Sequence, residues 1–153
     1  MLKYIPEDTS VTFAEIPDEI CLCINISNCP HKCPGCHSQY LQRDIGSELT
    51  EYILNDIVNK NNGVTCVVFM GGDSDKESLK KLGAFIKSKH LKSGWYSGES
   101  SLSIENYREF FDYIKIGPYI KELGPLNVKT TNQRMYRLSS NSISDITYRF
   151  CSK

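Results

Sequence analysis

Cys29, Cys33 and Cys36 stand within eight residues of one another, in the run Cys-Pro-His-Lys-Cys-Pro-Gly-Cys-His. The spacing is C-x3-C-x2-C. Three thiolates this close are placed to hold a metal group. An iron–sulfur cube takes one ligand per iron, four in all. Three protein ligands would leave one iron open to a further ligand. A structural zinc site is the second reading, with His31 or His37 as fourth ligand. Four ligands from one nine-residue stretch would strain a tetrahedron, and structural zinc sites usually draw ligand pairs from separate segments. The third reading is three free or buried thiols. Pro30 and Pro34 stiffen the loop and Gly35 permits close backbone approach, which argues against it.

The remaining four cysteines, Cys21, Cys23, Cys66 and Cys151, are scattered. Cys21, Cys23 and Cys66 fall in strand-like runs, where a small buried side chain is the expected role. The chain has 153 residues, 40% of them hydrophobic, and a formal net charge of zero. That fits a single domain, residues 1–153, with an ordinary core. No basic excess points to nucleic acid. No apolar run approaches a membrane span, and the residues after Met1 do not form a signal-peptide core, so a cytoplasmic protein is expected.

The elements that must position the thiols read as follows. Val11 to Ile16 is a short strand. Ile20 to Ser27 is a longer one, and the cysteine loop begins where it stops. Thr50 caps a helix whose apolar face is Ile53, Leu54, Ile57 and Val58. Val64 to Met70 is a continuous apolar strand, suited to a parallel sheet covered on both faces. Gly71-Gly72-Asp73 follows at once. Ser74 and Glu77 form a capping box for a helix burying Leu79, Leu82, Phe85 and Ile86. Gly94 to Gly98 is a strand with its exit loop, with Trp95 in the core or at a subunit interface. Ile104 to Phe111 is a weaker helix, and Tyr113 to Ile116 a strand ending at Gly117-Pro118. The tail is polar, with β-like pieces near Met135–Leu138 and Ile143–Tyr148. Strand, loop and helix alternate, which predicts an α/β fold with mostly parallel strands. Ligands in such folds sit beyond the carboxyl ends of the strands. The cysteine loop, Gly71-Gly72-Asp73, Ser97-Gly98 and Gly117-Pro118 would therefore share one rim.

At this point the sequence resembles the radical S-adenosylmethionine (SAM) superfamily, through C-x3-C-x2-C after the first main strand and Gly71-Gly72-Asp73 after the next. Within it, the chain is similar to the activating proteins of anaerobic ribonucleoside-triphosphate reductases. The similar segments are Asn28 to His37, Phe69 to Asp73, Ile114 to Tyr119 and Thr131 to Tyr136, and the likeness spans roughly residues 10–150. A full (β/α)8 barrel needs about 250 residues. The expected fold is thus a partial, open (β/α) barrel, whose open side suits a protein substrate.

The resemblance implies that Cys29, Cys33 and Cys36 ligate one [4Fe–4S] cluster and that SAM chelates the fourth iron. One electron cleaves the sulfonium, and the resulting 5′-deoxyadenosyl radical takes a hydrogen atom from a backbone glycine of the glycyl-radical subunit of the reductase. A flavodoxin- or ferredoxin-type donor would supply the electron. Gly71 and Gly72 would let backbone carbonyls approach the methionyl ammonium. Asp73 would stand beside that cation, or simply favour a helix N-terminus. Ser97 would bind the ribose or the methionyl carboxylate, or serve as a turn residue. The superfamily often places an aromatic residue before the third cysteine. Gly35 stands there instead, so His37, after Cys36, would take part of the adenine-side role. Asn132, Gln133 and Arg134 would touch SAM, dock the reductase or stay solvated. Lys115 would lie near the rim or point to solvent, the second being the plainer reading, and neither His31 nor His90 is given a role.

Overall fold

The computed structural model describes residues 1–36 and 38–151. Its strands are β1 (Lys3–Tyr4), β2 (Ser10–Thr12), β3 (Cys21–Asn25), β4 (Ser47–Glu48), β5 (Cys66–Met70), β6 (Lys92–Tyr96), β7 (Tyr113–Ile116), β8 (Arg134–Leu138) and β9 (Ile143–Asp145). Among the described residues there are two α-helices, α1 (Glu51–Lys60) and α2 (Lys76–Ser88). Seven strands form one sheet in the order β2-β3-β5-β6-β7-β8-β9, and β1 pairs with β4 beside it.

This corrects the expected partial (β/α) barrel. The pairs β3–β5, β5–β6 and β6–β7 are parallel, but β2–β3, β7–β8 and β8–β9 are antiparallel. The sheet is mixed and sheet-dominated. The reason lies in the connections. A parallel return needs a crossover of a dozen or more residues, usually a helix. A 3-10 turn, Ile104–Tyr107, stands where a helix over 104–111 is expected, and the β6–β7 crossover still returns parallel through it; beyond Ile116 no helix forms among the described residues before β8, which returns antiparallel. The strand expected over Val11–Ile16 is Ser10–Thr12, and it pairs antiparallel with β3.

Both helices cover the same face. Leu54 and Val58 of α1 and Leu79, Leu82 and Ile86 of α2 pack with Leu22, Ile24, Val67, Phe69, Trp95 and Ile114 of the sheet. Alternation turns Cys21, Cys23, Cys66, Val68 and Tyr113 to the other face, where Ile16, Met135, Leu126, Ile146 and Phe150 cover them. Trp95 is fully buried against Tyr107 and Phe111, so it is a core residue. The Thr50 hydroxyl accepts the Ile53 N–H at 3.2 Å, as the sequence suggests. For α2 the cap is Asp75, whose carboxylate accepts the Ser78 N–H at 3.2 Å, while Glu77 reaches outward to Lys80. The expected Ser74–Glu77 box is not formed. No helix among the described residues is long and apolar enough to cross a membrane.

Candidate metal centre

The four central strands β3, β5, β6 and β7 run parallel and end on one rim. Across that rim Asn25, Met70, Tyr96 and Lys115 stand in register. The cysteine loop leaves β3 above them. Its base is pinned. Ser27 N–H donates to the Lys3 carbonyl at 3.0 Å, Asn28 N–H to Arg43 at 2.8 Å and Cys29 N–H to Leu41 at 2.9 Å. The Ser27 hydroxyl adds a bond to the Ile45 carbonyl at 2.6 Å. Asn28 takes the left-handed conformation (φ 58°) that turns the chain into the loop.

The three thiols are free and half-buried. Cys36 N–H donates to the Cys33 carbonyl at 3.1 Å, which folds the second half of the motif into a tight turn. Ser38 N–H donates to Cys36 Sγ at 3.4 Å, and Cys29 Sγ donates to the His31 carbonyl at 3.6 Å. Burial pushes the Cys29 thiol above its ordinary range, with Asp73, Cys33 and Cys36 adding to the effect. Cys29 and Cys36 line a cavity of about 190 Å³ with Asn25, Met70, Gly71, Asp73, Ser97 and Lys115. Cys33 does not line it.

Asp73 is the hub of the rim. Its side chain is 2% exposed. One carboxylate oxygen accepts the Ser97 hydroxyl at 2.7 Å, and the other accepts the Gly98 N–H at 2.8 Å. The second oxygen also lies 2.9 Å from His31 Nε2, whose ring packs against Gly98. That nitrogen is buried and finds no in-line hydrogen bond. Glu99 approaches the same atom at 3.8 Å, and Lys76 closes the group 3.1 Å from Glu99. The Ser97 hydroxyl is thus committed to Asp73. His31, given no role from sequence, ties the cysteine loop to the ends of β5 and β6. Local pattern carries no sign of this, because its partners lie far along the chain.

The other expected site residues are dispersed. Gly71 (φ +115°) turns at the rim, where a Cβ would meet the Ile26 carbonyl at 3.0 Å. Gly72 faces inward, and a Cβ there would meet Leu79 at 3.0 Å. Gly35 looks away from the cavity toward Tyr119 and Lys121. His37 lies outside the described residues. Asn132 and Gln133 donate to the Pro118 and Gly117 carbonyls at 3.1 and 3.3 Å, and Arg134 pairs with Asp145. Asn132 and Gln133 strap the end of β7, Arg134 ties β8 to β9, and none of the three lines the cavity. Lys115 does line it, as the rim alternative has it and not the solvated one.

The donor set fits an iron–sulfur cube. The three sulfurs do not all lie within 4.8 Å of one another. The edge of a zinc–thiolate tetrahedron is about 3.8 Å, given Zn–S bonds of about 2.3 Å. His31 faces Asp73 and Glu99, not the thiols, so it does not complete a zinc site with them. Among the described residues no fourth cysteine joins the loop. Cys21, Cys23 and Cys66 are sealed in the sheet, and Cys151 lines a separate groove with Leu126 and Tyr148. The three loop thiols would hold three irons. The N–H bond to Cys36 Sγ is of the kind that tunes such clusters.

Comparison with curated proteins and with solved structures returned no match. A family model described as a 4Fe-4S single cluster domain matches residues 20–142. That stretch runs from the head of β3 past the end of β8 and includes the whole thiol loop and its rim. The chain therefore belongs to the 4Fe-4S single cluster domain family.

Proposed function

We propose that the protein is a radical SAM activating enzyme that generates a glycyl radical on an anaerobic ribonucleoside-triphosphate reductase. The observation that carries this reading is the shared cavity. Cys29 and Cys36 line it together with Gly71, Asp73 and Ser97, so the thiol loop opens onto the Gly-Gly-Asp rim. When bound, the reduced cluster would deliver one electron to SAM, breaking its carbon–sulfur bond to give methionine and the radical that takes hydrogen from the partner's glycine.

The chain's own residues bind, orient and shield. Cys29, Cys33 and Cys36 would hold three irons of the cluster, leaving one iron without a protein thiolate. Gly71 keeps the rim low, since any side chain would strike the Ile26 carbonyl. Asp73 fixes Ser97 and Gly98 at their positions, which holds the β6 exit loop against the cavity mouth. Leu41, Met70 and Tyr96 supply apolar walls that exclude water. A flavodoxin- or ferredoxin-type donor would reduce the cluster from outside, and a loop of the reductase would present the glycine.

The test is anaerobic reconstitution with iron and sulfide, then addition of SAM, a reductant and a glycyl-radical reductase. An EPR doublet on the reductase, with methionine and 5′-deoxyadenosine formed in step, is the expected result. Loaded protein that leaves SAM intact would overturn the reading.

A further inference from the structure

We infer that Lys115 is the counter-charge of the loaded thiol loop, and that its ammonium sets the potential at which the cluster accepts an electron. The inference rests on the cluster that the family carries, and not on SAM or the reductase.

The argument begins with strand alternation. Ile114 packs toward the helices, whereas Tyr113 belongs to the opposite face with Cys23, Val68 and Met135. Period two assigns Lys115 to that second face. An apolar residue would be expected there, as Met70 and Tyr96 show at neighbouring positions. Lys115 stands instead at the end of the row Asn25, Met70, Tyr96, Lys115 that floors the cavity under Cys29 and Cys36.

Among the described residues its ammonium has no carboxylate within ion-pair reach. The lysines at 3, 60, 76, 80 and 87 each pair with an acid. Lys115 lies instead over the face of Tyr96, 4.9 Å from the ring centroid. Asp73 is already committed to Ser97 and Gly98. Burial pulls the Lys115 pKa below its usual value, while Glu15, Asp73, Cys33 and Cys36 favour the charged form. A half-buried cation without an acid partner is costly unless an anion completes it. Three thiolates around an iron–sulfur cube are such an anion. Reduction adds one further negative charge, and net charge is among the factors that fix the potential of such clusters. A fixed positive charge facing them stabilises the reduced form. No bond is made or broken at Lys115. The electron comes from an external one-electron reductant and stays on the cluster.

The experiment uses the full chain, reconstituted anaerobically and titrated with dithionite while the reduced cluster is followed by EPR. K115M removes the charge and keeps the stem, and K115R keeps the charge. K115M is expected to move the midpoint potential downward, with K115R near the unsubstituted protein. Equal potentials in K115M and the unsubstituted protein, at equal iron content, would overturn the inference. Circular-dichroism melting shows whether each variant folds, with K115Q replacing K115M if the methionine variant does not. A folded K115M that cannot take up iron, beside a K115R that can, also supports the charge role. Failure of both to load iron assigns Lys115 to packing and overturns it. Since neither SAM nor reductase is present, a negative result leaves the activase reading standing, and a failed activase assay leaves this one standing.

Discussion

Six of the seven cysteines form two trios with opposite surroundings. Cys21, Cys23 and Cys66 lie in adjacent strands, sealed beneath Ile16 and Met135. Cys29, Cys33 and Cys36 lie in the loop after β3, half-buried, with Cys29 and Cys36 lining a cavity. The side chain is the same, and position decides its chemistry. In the sheet, burial pushes the Cys23 thiol up to about 12. Cys66 is held far above its usual range by its hydrogen bond with Cys21 and by burial. The same hydrogen bond draws Cys21 down, so what sets this trio apart is its burial, which offers no sulfur to a metal or an electrophile. The loop thiols are only half-buried, and Cys36 Sγ accepts the Ser38 N–H, so these sulfurs are open to incoming iron. Clustering along the chain is therefore informative only together with what covers the cluster.

The largest effect that would break this contrast is loss of a loop thiol. Cys33→Ala should abolish iron and sulfide uptake, read by metal analysis and visible absorption. Its apo melting free energy should move by no more than about 0.5 kcal/mol, since the site is not core. Thiol labelling sharpens the same contrast. Iodoacetamide at pH 8 on the apo protein should mark the loop trio and Cys151, with Cys21, Cys23 and Cys66 reacting only in urea, as mapped by mass spectrometry. Equal labelling of both trios would show that the sheet does not protect its own. Cys66→Ser reverses the first test. Burying a hydroxyl among apolar groups should cost about 1–3 kcal/mol in urea unfolding, with iron uptake per folded molecule unchanged.

A smaller effect is expected at Gly98. A methyl there would come within 2.6 Å of the His31 ring. Gly98→Ala should push the ring off Asp73 and speed cluster loss to a chelator, at a stability cost of about 1 kcal/mol. Smallest is Thr50→Ala, which removes the α1 cap. It should cost about 1 kcal/mol of stability and leave chelator resistance untouched, because α1 lies on the face away from the loop trio.

What could be read from the chain follows the same division. The loop was legible because its ligands are neighbours in sequence. The rim was legible because each of its segments directly follows an apolar strand. Strand partners were not legible. Nothing local in Met135 or Ile143 says that β8 and β9 return antiparallel, and that return turns an expected barrel into a mixed sheet. His31 was missed because Asp73 and Gly98 meet it only after folding. For Lys115 the rim and solvent are left open, because alternation assigns a face without saying what lies above it. The cap of α2 moved by one residue, from Ser74 to Asp75, because both side chains suit an N-cap and only geometry separates them.

The hydrogen bonds that pin Ser27, Asn28 and Cys29 to Lys3, Leu41, Arg43 and Ile45 make the thiol loop a closed ring before any iron arrives. The entropy of gathering its ends is spent during folding of the sheet, not at metal binding. Each thiol then meets the others at a high effective concentration, so assembly gains cooperativity from the scaffold. The same ring limits the damage when the cluster is lost. Opening should then be confined to the motif itself, with the amides of Cys33 and Cys36 exchanging early while those of β3 and β5 stay protected.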